Sequence, residues 1–168
     1  MRLCRRIISS GLAAAALLLL LLTLQRQGSP PPGLEDPLLQ TIRLVSPAGR
    51  MLALSVERAD EEAERQRGLM FRPVVEHGML FVFPRAAPHR FWMYRCLIPL
   101  DIVWLDAEAR VVHIESGLPI CPALPCADYG PSENALYVLE IGAGVAARRG
   151  IRGGQRLELI FSSPPRPS

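Results

Sequence analysis

Between Thr41 and Phe161 the apolar residues come in short segments that alternate with period two, the spacing that puts every second side chain of an extended strand on one face. Leu52, Leu54 and Val56 form one such set, followed by Met79, Phe81 and Phe83, then Tyr137, Leu139 and Ile141, and finally Leu157, Leu159 and Phe161. Residues 41–45 and 110–115 read as further strands. In the second of these, Val111, His113 and Glu115 are expected on one face and Val112 and Ile114 on the other. Residues 102–105 are an unbroken apolar run, as in a strand covered on both sides. Helix signals are few. Asp60 as a cap, Glu61 and Glu62 in a first turn, Arg65 and Arg67 in a last turn and Gly68 behind them predict a short helix, with Glu61 and Arg65 spaced as an i,i+4 pair. A second turn or two is expected over 144–149. Seven to eight strands with one or two short helices predict a mainly β domain, a sandwich or small barrel rather than a βαβ fold.

The boundaries follow from composition. The chain has 168 residues, enough for one domain, and 49% of them are hydrophobic. Much of the Leu and Ala is concentrated near the N-terminus, where Arg2, Arg5 and Arg6 precede an uncharged, mostly apolar run over 7–24. Such a run is either an export signal or a membrane anchor: at 1.5 Å per residue it spans about 27 Å, close to a hydrocarbon core. No Ala-x-Ala site follows, and both outcomes stay open. The expected layout is a leader over 1–24, a Pro/Gly-rich linker over 25–38, a β domain over 39–161 and a Ser/Pro tail over 162–168. Residues 41–163 carry 14 arginines and 14 acids, so the domain is neutral and lacks the electrostatic footprint of a nucleic-acid binder. The positive surplus sits in the tails, mainly at the N-terminus. It predicts an exported domain that faces the periplasm or extracellular side, either attached to the membrane through its N-terminal segment or soluble after cleavage.

Five segments together resemble one family: Arg67-Gly68-Leu69-Met70-Phe71-Arg72; Gly78-Met79-Leu80-Phe81-Val82-Phe83; Phe91-Trp92-Met93 with Ile98-Pro99-Leu100-Asp101-Ile102; Cys126 with Tyr129; and Tyr137-Val138-Leu139-Glu140 leading to Gly144. The chain is similar in these to the DUF192 (UPF0127) family, small bacterial and archaeal proteins of uncharacterised function, often exported. The resemblance implies a jelly-roll-like β domain and no established reaction. Where the family usually continues Lys-Asn-Thr after Trp-Met, this chain has Tyr94, Arg95 and Cys96, so a site using that Lys or Asn would be altered here.

Several groupings have both a chemical and a structural interpretation. Cys121 and Cys126 bracket four residues; in an exported protein, and in a family that often carries cysteines here, a disulfide is expected, with metal binding and free thiols as alternatives. Cys96 is left without an evident partner, as a small buried residue or, with His89 or His113, a thiol nucleophile. Met70, Met79 and Met93 suit Cu(I) but better suit a core. Gly142, Gly144 and Ala147 fit a dinucleotide pattern, but too little chain follows to build the remaining βα units, and no cofactor or metal is expected. Trp92 and Trp104 could stack on a sugar or fill a core. Asp101, at the mouth of an apolar strand, either satisfies turn amides or is the anion of a polar pocket with Arg67, Trp92 and Glu115. No catalytic motif is present, which favours a binding or accessory module for a small-molecule or protein ligand over the alternative, a small hydrolase or carbohydrate-active enzyme using Asp101.

Overall fold

A computed structural model describes residues 39–45 and 51–162. The expected leader, linker and the tail beyond residue 162 lie outside the described residues, as do Cys4 and the predicted membrane attachment. Among the described residues no helix is long and apolar enough to cross a membrane.

The elements run β1 (Leu39–Val45), β2 (Met51–Ala59), α1 (Glu62–Arg67), β3 (Gly78–Ala87), β4 (Phe91–Trp92), β5 (Leu100–Leu105), β6 (Val111–Leu118), β7 (Asp128–Tyr129), β8 (Ala135–Gly142), α2 (Val145–Arg149) and β9 (Glu158–Ile160). The domain is mainly β with two short helices, as expected. Among the described residues there are nine strands rather than seven to eight, because β4 and β7, two residues each, are too short to leave a periodic signature. Seven strands form one sheet in the order β6-β5-β8-β3-β2-β1-β9, and β4 pairs with β7 separately. The large sheet is mixed: β2 and β3 are parallel, which the 60–77 connection through α1 is long enough to allow, and the other pairs are antiparallel. The sheet is not a closed barrel, but the residues leading into its two edge strands meet. Val111 N–H donates to Gln155 O at 2.8 Å and Leu157 N–H to Ala109 O at 2.9 Å.

Each face of the sheet carries its own apolar cluster. Val56, Leu139, Ile141 and Leu157 lie in the first, with Leu52, Leu54, Tyr137, Leu159 and Phe161 packed against it, in the phase the alternation predicts. Met79, Phe81 and Val138 lie in the second, where Leu69, Met93 and Cys96 from the connecting segments cover the sheet. All six residues of β5 are buried, consistent with a strand covered on both sides. The predicted phase of β6 fails. Trp104 faces His113 while Leu105 faces Val111, so Val112 is an extra residue in a bulge. Val111 and Ile114 consequently join the first cluster and Val112 the second.

The helices also differ from expectation in detail. Glu61, not Asp60, caps α1, in a reciprocal box with Glu64. Arg65 pairs with Glu62 at 3.1 Å, at i,i+3 spacing, and its Nη1 donates to the Asp60 and Val82 carbonyls at 2.6 and 3.0 Å. These bonds dock a helix that buries no residue of its own. Around α2, Gly144 (φ 78°) and Gly150 (φ 69°) take left-handed conformations at the two ends. The next strand, β9, runs antiparallel to β1, so the glycines open a short surface helix and not a nucleotide-binding crossover.

Candidate functional site

The residue that organises the site is Glu140. On β8 it alternates with Leu139 and Ile141, so its side chain points with that of Val138 to the face of the second cluster. That face would be water-exposed in a single-layer sheet. Here the end of α1 lies over it: Glu140 is 4% exposed. Its carboxyl accepts a hydrogen bond from the Leu69 backbone, and Oε2 is buried with no hydrogen-bond partner. Burial pushes its pKa up to about 8. Gly68, at φ +48°, makes the close passage feasible, since a Cβ there would stand 3.2 Å from Phe81 Cζ and 3.4 Å from Glu140 Oε2. The Cys96 thiol is pushed up to about 12 by burial and then by the nearby Glu140 charge, so it is a protonated core residue rather than a nucleophile.

Glu140 forms part of the lining of a hollow of about 480 Å³. Phe81, Phe83, Phe91, Trp92 and Tyr94 supply aromatic walls, and α1 supplies Arg65 and Arg67 at the rim. The aromatics brace one another: Phe81 and Phe91 meet edge to face at 5.0 Å, Phe83 stacks on His89 at 3.4 Å, and Trp92 leans on Tyr94 at 5.4 Å. Burial holds the His89 pKa below its usual value. Two of the bordering cations are engaged. Arg65 is bonded to Glu62 and two carbonyls, and Arg90 to the Asp128 carboxylate at 2.9 Å and the Gly130 carbonyl. Among the described residues the exposed Arg67 guanidinium makes no ion pair or side-chain hydrogen bond.

The four residues expected to share a pocket are separated. Arg67 and Trp92 line the hollow; Asp101 and Glu115 do not. Asp101 is fully buried, with Oδ1 accepting from Gly117 N–H at 2.9 Å and Oδ2 from Ala146 N–H at 3.0 Å. It ties β5 to the end of β6 and the start of α2, and this structural role replaces that of acid or base in an open pocket. Glu115 pairs with His113 at 3.1 Å on the edge strand β6. Asp101→Ala removes the acceptor of two amide hydrogen bonds and strands both N–H groups, and is expected to cost about 2 to 3 kcal/mol in urea unfolding. A loss under about 1 kcal/mol would mean that the tie contributes little.

Cys121 and Cys126 form a disulfide, with Cα atoms 5.9 Å apart, and Cys96 is free and buried. Met79, Met93 and Trp104 are core residues, whereas Trp92 is 47% exposed. Among the described residues no three His, Cys, Asp or Glu side chains converge as a metal site requires. Glu140 lies inside the segment Tyr137-Val138-Leu139-Glu140, but nothing in the sequence marks it as a site residue, since an acid at the alternate position of a strand reads as an ordinary polar face.

Residues 43–159 match the family model DUF192, described as "Uncharacterized ACR, COG1430". The chain belongs to the DUF192 family. UPF0127 proteins from Thermococcus gammatolerans and Thermococcus sibiricus are 36% and 31% identical to it over 102 residues. The match takes in 58% of this chain and 61% and 60% of theirs, so it spans about three fifths of the length of these relatives. Among solved structures, a "putative transcription regulator" from Sinorhizobium meliloti 1021 superposes with a TM-score of 0.66 at 32% identity, covering 72% of this chain and 93% of that one. A protein of unknown function from Novosphingobium aromaticivorans DSM 12444 gives 0.65 at 31%, covering 77% and 89%. The family match and these likenesses fix the family and fold, and name no substrate.

Proposed function

We propose that this DUF192 domain is a non-catalytic binding module that takes a small molecule into the hollow beneath Gly68. The observation that carries this reading is a buried carboxyl with one unpartnered oxygen at an aromatic-walled opening, a polar group whose missing partner a ligand would supply. What argues against catalysis is that the nucleophile candidate, Cys96, is held protonated, and that Asp101 is used up by backbone amides. In amide NMR spectra with a chemically diverse fragment panel, shifts are expected to concentrate at Gly68, Leu69 and Trp92. No perturbation there across the panel, or turnover of ester, glycoside or peptide substrates that is lost on Glu140→Gln, would overturn the reading.

The module is inferred to work outside the cytoplasm. Support comes from the cationic, then apolar N-terminal sequence and from the Cys121–Cys126 disulfide, a bond that persists in oxidising compartments. Fractionated cells are expected to hold the protein in the membrane or periplasmic fraction, with Cys121 and Cys126 resistant to alkylation until reduced. A cytosolic pool with both thiols alkylated would contradict export.

A further inference from the structure

The hollow has a chemical polarity that narrows its ligand. At its base stands a carboxyl whose Oε2 has no donor, and the walls are mainly aromatic, with Leu69 and Met70 as the aliphatic side chains among them. Aromatic faces carry negative partial charge and attract cations, and a desolvated site strengthens that attraction. The arginines at the border do not reverse this sign. Arg65 is offset by Glu62 and Arg90 by Asp128, leaving Arg67 on the exposed end of α1, where water screens it. An anion entering the base would meet an ionisable carboxyl, and a neutral ligand would leave any charge on it unbalanced.

We propose that the hollow binds an organic cation, a primary ammonium group seated against Glu140 Oε2 with its hydrocarbon body lying along Phe81, Phe83, Phe91 and Trp92. This rests on the binding-module reading and adds the ligand class. The ammonium supplies the missing donor and the countercharge together, so binding ionises Glu140 and releases its proton to solvent. The other charged or titratable groups bordering the hollow are Glu62, Arg65 and Arg67 from α1, His89, Arg90 and Tyr94 around β4, and Cys96. Between pH 7 and 9 the guanidiniums stay charged, Glu62 is held below the usual carboxylate range by Gln66 and Arg65, His89 is below its usual value, and Cys96 is neutral. Ionisation of Glu140 is therefore the step that favours cation binding as pH rises.

The test is calorimetric titration of the full chain with 2-phenylethylamine, 2-phenylethanol and 3-phenylpropionate, with Trp92 fluorescence reporting occupancy. The amine is expected to bind at least about tenfold more tightly than the alcohol at pH 9 and to weaken about tenfold at pH 7, where each bound ligand must displace a proton. Glu140→Gln, checked for a native circular-dichroism spectrum, is expected to abolish both the preference and the proton release. Preferential binding of the alcohol or the acid at Trp92 would overturn the cation assignment while leaving a binding module. Amine binding that Glu140→Gln does not change would overturn the role of Glu140. If none of the three compounds binds, the cation assignment fails, and the fragment panel separately decides the binding-module reading.

Discussion

Glu140→Gln is expected to stabilise the domain at pH 9 and to leave it nearly unchanged at pH 5. The ordinary pKa of the group is 4.5 and the fold raises it to about 8, chiefly by desolvation. For an acid raised in this way the folded chain keeps a proton that the unfolded chain has released. Below about 4.5 both states are protonated and no penalty exists; between 4.5 and 8 stability falls as pH rises; above 8 the penalty is complete. That interval corresponds to a penalty on the order of 5 kcal/mol, an upper bound because water can enter the hollow as the carboxyl ionises. Glutamine keeps an oxygen for the Leu69 amide and cannot ionise. His89 works in the opposite sense, since its lowered pKa makes stability rise through the range below its usual value. The comparison from pH 7 to 9 therefore isolates Glu140 from His89. Urea unfolding of the two proteins at pH 5, 7 and 9 should give curves that diverge with pH, and parallel profiles would show that Glu140 is not desolvated as described.

Trp104→Ala is expected to cost about 3 to 5 kcal/mol, the range for deleting a fully buried aromatic side chain. Trp104 has no exposed surface, meets Phe91 edge-on at 5.9 Å and His113 at 5.4 Å, and its Nε1–H donates to the His89 carbonyl at 2.9 Å. Gly130 passes so close that a Cβ would lie 3.1 Å from the indole, so the neighbouring backbone is already against the ring. Because His89 and Phe91 also line the hollow, the same deletion should loosen its wall. Trp92→Ala, by contrast, removes a ring that is 47% exposed and should cost under about 1 kcal/mol in chemical denaturation. Equal losses at the two positions would contradict a buried Trp104 beside an exposed Trp92.

Much of this domain was legible locally. The phase of β2, β3, β8 and β9 is read from alternation alone, because consecutive side chains of a strand must point to opposite faces. The same holds for the doubly buried β5 and for the short helix that opens at Gly144, whose left-handed backbone favours glycine. The bulge at Val112 was not legible, since it depends on how β6 registers against β5 and not on its own composition. The parallel pairing of β2 with β3 is likewise a choice of neighbour that periodicity does not encode.

The candidate site shows the same division. Motif order and alternation settle the family, the β class and the strand on which Glu140 stands, opposite in facing to Leu139 and Ile141, and they place Asp101 no more closely than at the start of an apolar run. Only the tertiary structure decided that Asp101 spends its carboxylate on Gly117 and Ala146, and that the face bearing Glu140 is roofed by Gly68 and Leu69 from a distant part of the chain. Alternation fixes where a side chain points, but whether water or protein meets it there is set by long-range packing, and that packing turns an ordinary strand glutamate into a buried, half-satisfied acid.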